Sequence, residues 1–159
     1  MRTDRGALSN ESTQAVYIQL SRAAEAIAAT LQPALAAEGL TAGQLGVLEA
    51  IVTQGPMSLR SLGERLFRSP PNMTIVVDNL ERDGLARRVR SDTDRRVVLV
   101  EITSEGQRRF RRAYPLYGRL ITEFIGVLSA GEQARLSALC GRLRGQRPGA
   151  KARSERARR

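Results

Sequence analysis

Residues 58–103 read SLRSLGERLFRSPPNMTIVVDNLERDGLARRVRSDTDRRVVLVEIT, and this stretch decides the fold. The run Ser58–Leu66 has helical spacing, with Ser58 as its cap and Leu59, Leu62 and Leu66 turned inward. After a tight break, Ser69 at the N-cap and Pro70 at the first helical position form a favoured helix opening. That second helix should run to about Asp83, where Gly84 ends it. Met73, Val76, Val77 and Leu80 recur at helical steps of three and four and make its buried face. The opposite face carries Pro71, Ile75, Asp78 and Arg82, flanked by Asn72, Thr74 and Asn79. Ile75 is the anomaly there, an apolar residue pointing away from the core. Two β-rich runs then flank the polar turn Ser91-Asp92-Thr93-Asp94-Arg95-Arg96; in the second, Val98, Val100 and Ile102 alternate with Val97, Leu99 and Glu101. Two helices joined by a short turn and followed by a hairpin with arginines at its tip read as a winged helix-turn-helix. Such a module lays a helix in the DNA major groove and can reach an adjacent minor groove with the hairpin.

The flanks are helical, so the fold class is mainly α with a small β-hairpin wing. Residues 1–11 read as a disordered arm. From residue 12, Val16, Leu20, Ala24, Ile27, Leu31 and Leu35 define one stripe, with Pro33 placed to kink or shorten the last turns. Gly39 breaks that pattern. Thr41 and Gln44 form a capping box for a helix to about Val52, with Leu45, Leu48, Ile51 and Val52 inward and Gly55-Pro56 at its end. After a cap at Thr103 or Ser104, a long helix should reach about Leu128 on the stripe Phe110, Tyr114, Tyr117, Leu120, Ile121 and Phe124. Pro115 should kink or split it. Ser129 and Glu132 make a second capping box, opening a last helix with Leu136, Leu139 and Leu143 on one face. The domain assignment is therefore a single body over 12–144. Residues 41–103 form the DNA-binding lobe, and 12–38 and 104–144 are helices suited to pairing with a second copy. Residues 145–159 read as a disordered basic tail.

Composition bounds the function. The 159 residues hold 42% hydrophobic residues but only three Phe, three Tyr and no Trp, which suits Ala-, Leu-, Ile- and Val-packed helices. No apolar run approaches the roughly 18 residues of a membrane span. The first ten residues lack the apolar core of a secretory signal, and one cysteine excludes an internal disulfide, so a cytoplasmic protein is expected, nucleoid-associated when bound to DNA. With no histidine and one cysteine, no metal site is expected, and no cofactor. Without histidine, an isolated nucleophile motif or a phosphate loop, neither is an enzyme. The net charge of +10 is unevenly placed: Arg142–Arg159 holds eight basic residues and one acidic residue, 8 − 1 = +7. Charge alone is thus a weak pointer to nucleic acid.

The second helix of the pair has the build to read bases. Its first turn offers free backbone N–H groups and a positive dipole end to a phosphate. Asn72 could donate to and accept from an adenine edge, and Ile75 could sit against a thymine methyl. An ordinary cap, a surface amide and an apolar contact with another domain are the bland alternatives. In the turn, Asp92 and Asp94 beside Arg95 and Arg96 would hold the guanidinium groups extended, as a narrow minor groove requires; otherwise the turn is merely solvated.

Residues 41–106 resemble the MarR family of bacterial winged-helix regulators. Ser69-Pro70-Pro71-Asn72-Met73-Thr74 and Val77-Asp78-Asn79-Leu80-Glu81-Arg82-Asp83-Gly84-Leu85 are similar to its recognition helix and exit. Asp92-Thr93-Asp94-Arg95-Arg96 followed by Val100-Glu101-Ile102-Thr103-Ser104-Glu105-Gly106 resembles its wing and the start of its fifth helix. The first and last helices match in position and character, extending the resemblance to roughly Ser12–Arg144. The resemblance implies contacts to bases or phosphates from Ser69, Asn72 and Thr74, with Pro71 and Ile75 on the same face, and minor-groove insertion of Arg95 braced by Asp92 and Arg96. Ser58, Arg60 and Arg68 are candidates for backbone contact. Position 75 is often polar or basic in such proteins, so Ile75 departs from the pattern and bears on the operator read. The family's terminal helices interlock into a homodimer, and many members bind phenolic or other lipophilic effectors beside them. Tyr114 and Tyr117 could line such a pocket or belong to a packed stripe. Peroxide-sensing relatives carry a reactive cysteine in the first helix, which has none here; Cys140, between Leu139 and Leu143, is expected to be buried and inert.

The expected function is a homodimeric transcriptional repressor of a pseudo-palindromic operator, released by a small effector. Its partners are double-stranded DNA, a second copy of the chain and a small lipophilic or phenolic molecule, with no membrane. The alternatives are a winged helix used for dimerisation or protein docking, and a non-specific basic DNA-binding protein.

Overall fold

The computed structural model describes residues 4–66 and 69–145. In chain order the elements are α1 (Asp4–Ala36), α2 (Ala42–Gln54), β1 (Met57–Ser58), α3 (Leu59–Leu66), α4 (Pro70–Arg82), β2 (Ala86–Arg90), β3 (Val98–Ile102), α5 (Ser104–Ile125) and α6 (Ala130–Gly145). Two compact units divide between Ile121 and Thr122.

In the first unit, three antiparallel strands lie in the order β1-β3-β2. Met57 pairs with Val100 and Ser58 with Leu99, while Ala86 to Arg90 run opposite Ile102 to Val98. The sheet's inner face and the helices share one core, in which Leu45, Leu48, Leu62, Met73, Leu80, Leu85 and Val100 are fully buried. Met73, Val77 and Leu80 fall on the face of α4 that periodicity assigns to the core, each contributing about 1.5–3 kcal/mol of transfer free energy. Three local devices set the chain's turns. The Thr41–Gln44 capping box forms with both bonds made, Gln44 N–H to Thr41 Oγ1 (3.2 Å) and Thr41 N–H to Gln44 Oε1 (2.8 Å). Gly84 takes a φ of +69° at the exit of α4, where an L side chain would be strained. Thr103 caps α5 by accepting the Gly106 N–H (3.0 Å) and donates its hydroxyl to the Gly84 carbonyl (2.7 Å). A Cβ at position 106 would run into the Leu85 carbonyl oxygen, so only glycine lets α5 start this close to the exit of α4.

Several expectations need correction. α1 begins at Asp4, so the arm assigned to 1–11 is helical from there; no proline interrupts the chain before Pro33. Pro33 does not end α1 early, and Pro115 does not split α5. Pro115 removes one helical bond, while Phe110 and Ala113 before it and Tyr117 and Leu120 after it hold both halves against the core. α5 stops at Ile125 rather than near Leu128, in a turn where the Gly126 N–H bonds to the Thr122 carbonyl (2.8 Å). Ser58 lies in a strand and still caps α3, accepting the Ser61 N–H (3.1 Å). Val52, expected inward, is exposed.

Exposure marks α1 and α6. On α1, Leu31 and Leu35 are buried and Ile27 packs against the core, but Val16 is 62% exposed and Leu20 41%. In the second unit, α6 opens with the expected box, the Ser129 N–H donating to Glu132 Oε2 (2.8 Å). It buries no residue: Leu136, Leu139 and Leu143 all face outward. Cys140 is exposed with them, against the expectation of a buried thiol. Among the described residues no helix is long and apolar enough to cross a membrane, and no cluster of side chains is placed to hold a metal ion. The tail assigned to 145–159 lies outside the described residues beyond Gly145.

Candidate nucleic-acid interface

α4 separates its two faces cleanly. Pro71, Asn72, Thr74 and Ile75 are exposed while Met73 and Val77 have no accessible surface, because the apolar positions step by three and four. Ile75 is 59% exposed. Ser69 occupies the N-cap with extended backbone (φ −66°, ψ 151°), and its side chain makes no cap hydrogen bond. Pro70 and Pro71 carry no N–H and the Met73 N–H is bonded to the Ser69 carbonyl (3.1 Å), which leaves the Ser69 hydroxyl and the Asn72 N–H as the donors of the first turn.

The hairpin loop is built by backbone satisfaction. Ser91 N–H donates to the Val97 carbonyl and Val97 N–H to the Asp94 carbonyl, each at 2.9 Å. The Ser91 hydroxyl accepts from the N–H groups of Thr93 (3.3 Å) and Asp94 (3.4 Å). Asp94 accepts the Arg96 N–H at 2.9 Å, and Arg90 Nη1 donates to the Arg95 carbonyl at 3.2 Å. The proposed bracing by carboxylates thus takes another form. Among the described residues no ion pair joins Asp92 or Asp94 to the guanidinium of Arg95 or Arg96. A carboxylate two residues from an N–H in a tight turn finds that donor before a long, solvated arginine. Asp92, Arg95 and Arg96 all remain exposed.

One residue that the sequence pattern did not single out joins the two parts. Arg88 on β2 pairs with Asp78 (2.8 Å) and with Glu81, both on α4, while its backbone N–H donates to Glu81 Oε1 (2.7 Å). Burial pulls the pKa of Arg88 down, but the hydrogen bond to Asp78 and the charge of Glu81 outweigh it, and the guanidinium is held above its ordinary value. The recognition-type helix is thereby clamped to the hairpin that carries the loop. Only the spacing of Asp78 and Glu81, three apart on one helix face, hinted at a shared partner. Across the sheet, Arg87 pairs with Glu101 directly opposite (2.5 Å).

The backbone candidates part company. Ser58 is half-buried in the sheet with its hydroxyl engaged by Ser61, as cap acceptor and in a 2.9 Å contact between hydroxyls. Arg60 is exposed and ion-paired to Glu64 one turn on (3.0 Å). Arg68 lies outside the described residues. Tyr114 stacks on Phe110 (centroids 4.8 Å) and donates its hydroxyl to Glu49 (2.9 Å), while Tyr117 is half-buried against the core. The hydrogen bond to Glu49 raises the pKa of the Tyr114 phenol, and burial raises that of Tyr117.

Comparison with known proteins agrees with this geometry. The MarR family model matches residues 40–98. The HTH-type transcriptional regulator MhqR of Bacillus subtilis is 33% identical over 122 residues, 77% of this chain and 84% of MhqR. The PcaV transcriptional regulator from Streptomyces coelicolor, solved in complex with its natural ligand, is 31% identical with a TM-score of 0.64, covering 89% of this chain and 92% of PcaV. A mutant MarR from E. coli complexed with operator DNA has a TM-score of 0.73 at 25% identity, covering 80% of this chain and 92% of its own. With the helix pair, the hairpin and a 33% identical relative spanned over most of its length, the chain belongs to the MarR family of transcriptional regulators.

Proposed function

We propose that the protein is a homodimeric repressor that binds a pseudo-palindromic operator and is released by a small lipophilic or phenolic effector. The observation that carries this reading is the outward face of α4, where Ser69, Pro71, Asn72, Thr74 and Ile75 are exposed. These residues make the major-groove contacts. Arg95 enters the minor groove from a loop stiffened around Asp94, with Asp92 and Arg96 at its base, and Arg60 adds a phosphate contact. Support for the dimer comes from Val16 and Leu20 on α1 and from Leu136, Leu139 and Leu143 on α6, apolar side chains that a lone chain leaves in water. Covering each recovers up to about 1.5–3 kcal/mol.

A two-fold axis then sets two α4 helices about 34 Å apart, one DNA turn. An effector lowers affinity by preferring a dimer in which that spacing or angle is wrong, in proportion to its differential affinity for the two states. PcaV, solved with its ligand, and MarR, solved on its operator, are the relatives that support the two halves of this reading. The test is a footprint on the DNA flanking the protein's own gene, with the mass in solution measured in parallel. We expect a dimer at micromolar concentration and two protected half-sites one turn apart. A folded monomer, or equal affinity for that DNA and random duplex at matched salt, would overturn the proposal.

A further inference from the structure

We infer that α4 selects A·T and T·A pairs, with a thymine 5-methyl group seated on Ile75, an inference that rests on the DNA-binding reading above. Base edges are met by the N-terminal turns of a recognition helix. In α4 those turns hold no basic residue: the only cation of the helix is Arg82, in the last turn. It lies about 10 Å further along the axis than Ile75 and is ion-paired to Asp83 (3.2 Å). The commonest guanine contact, a bidentate Arg or Lys on O6 and N7, is therefore missing from this helix. Asp78, one turn after Ile75, could accept from a cytosine amino group. Its carboxylate is instead held by Arg88 at 2.8 Å.

What remains facing outward is the Ser69 hydroxyl at the cap, the Pro71 ring, an amide at Asn72, a hydroxyl and methyl at Thr74, and the bare aliphatic side chain of Ile75. An amide matches adenine N6 and N7, and the only apolar group on a major-groove edge of unmodified DNA is the thymine methyl. Asn72 and Ile75 are three residues apart, so their Cβ atoms sit roughly 5–6 Å from each other, within two base steps of about 3.4 Å. One helix face thus addresses an adenine and a thymine in close succession. The position where a charged residue would specify guanine carries a methyl reader.

The experiment uses the full-length chain and a randomised 20-base-pair duplex library. The selected duplex is remade with uracil in place of each thymine in turn, which removes the 5-methyl and nothing else. We expect A·T pairs at the centre of each half-site and one thymine per half-site whose replacement weakens binding about fourfold, the factor for losing one buried methyl. Ile75→Ala should weaken the thymine duplex to the same extent and be indifferent to uracil there. Ile75→Arg should move the selected base toward guanine. Circular dichroism should match the parent for both variants, because Ile75 lies outside the core. Selected half-sites built on G·C pairs, uracil tolerated at every thymine, or an Ile75→Ala variant that keeps its uracil sensitivity would each overturn the inference while leaving the regulator reading intact. A library from which no sequence is enriched overturns both.

Discussion

Removing the Arg88 clamp tests how the reading helix is held. Arg88→Met keeps an apolar stem of similar length along the sheet and deletes the guanidinium. The pair with Glu81 leaves only 27% and 30% of the two side chains exposed, so solvent screens it little. A hydrogen bond of that charged kind contributes about 1.5–3 kcal/mol net. Asp78 is 56% exposed, and its share falls in the range of a surface pair, about 0–1 kcal/mol. The variant also leaves two carboxylates three residues apart with no shared cation. We therefore expect a loss of about 2–3 kcal/mol. For a chain of this size each kcal/mol moves the melting midpoint by about 2–4 °C, so the drop should be about 4–12 °C. Urea unfolding at one fixed protomer concentration is the assay, since dimerisation makes apparent stability concentration-dependent. Glu81→Gln, which retains an acceptor for the Arg88 N–H, should cost less, and the double variant should cost less than the sum. DNA affinity measured well below the transition should fall as well, because helix and wing lose their shared anchor. A stability change under about 0.5 kcal/mol would refute the reasoning. The clamp would then be a solvated surface pair, and α4 would be held by its apolar face alone.

Other perturbations probe other parts of the molecule. Asn72→Ala should cost about 1–3 kcal/mol on a selected duplex and relax the preference at one base position; a uniform loss across sequences would make Asn72 a phosphate contact. Arg95→Ala should weaken binding with an unchanged melting midpoint, and more on A·T-rich than on G·C-rich flanks, where the minor groove is wider. Gly106→Ala should destabilise by about 1–3 kcal/mol because its Cβ meets backbone at Leu85 that cannot step aside. Gly84→Ala meets nothing within 4 Å and should cost about 1–2 kcal/mol through its positive φ alone; thermal melts of the pair separate collision from strain. The hydrogen bonds from Arg108, then Arg109, hold the Glu105 carboxyl below its ordinary value of 4.5. Its stabilising effect is therefore complete above that value and lost as pH falls through the lower folded value. A carboxyl NMR titration should show this midpoint rising when Arg108 is replaced by Ala.

The exposed face of α4 was legible along the chain because it is encoded locally. Steps of three and four between Met73, Val77 and Leu80 fix which way Asn72 and Ile75 point, and Thr41 with Gln44 marks a helix start four residues wide. β1 escaped notice because two residues carry no period, and its strand character exists only through Val100 and Leu99. The role of Asp94 was misassigned because composition places acids beside bases, while geometry gives that carboxylate the nearer backbone donor. Cys140 was expected to be buried with Leu139 and Leu143, an inference from neighbours that fails when the whole face is exposed.

By itself the sequence determined which segments are helical, the two capping boxes, the two faces of α4 and the position of the wing, since each follows from residues within a turn or two of one another. Tertiary structure alone decided the pairings between charges on different elements. Arg88 reaches Asp78 and Glu81 across an element boundary, Arg112 meets Glu38 from 74 residues away, and Gly106 is required by the carbonyl of Leu85. Periodicity orients a side chain relative to its own axis. The groups it meets depend on how the axes pack, which no local pattern records.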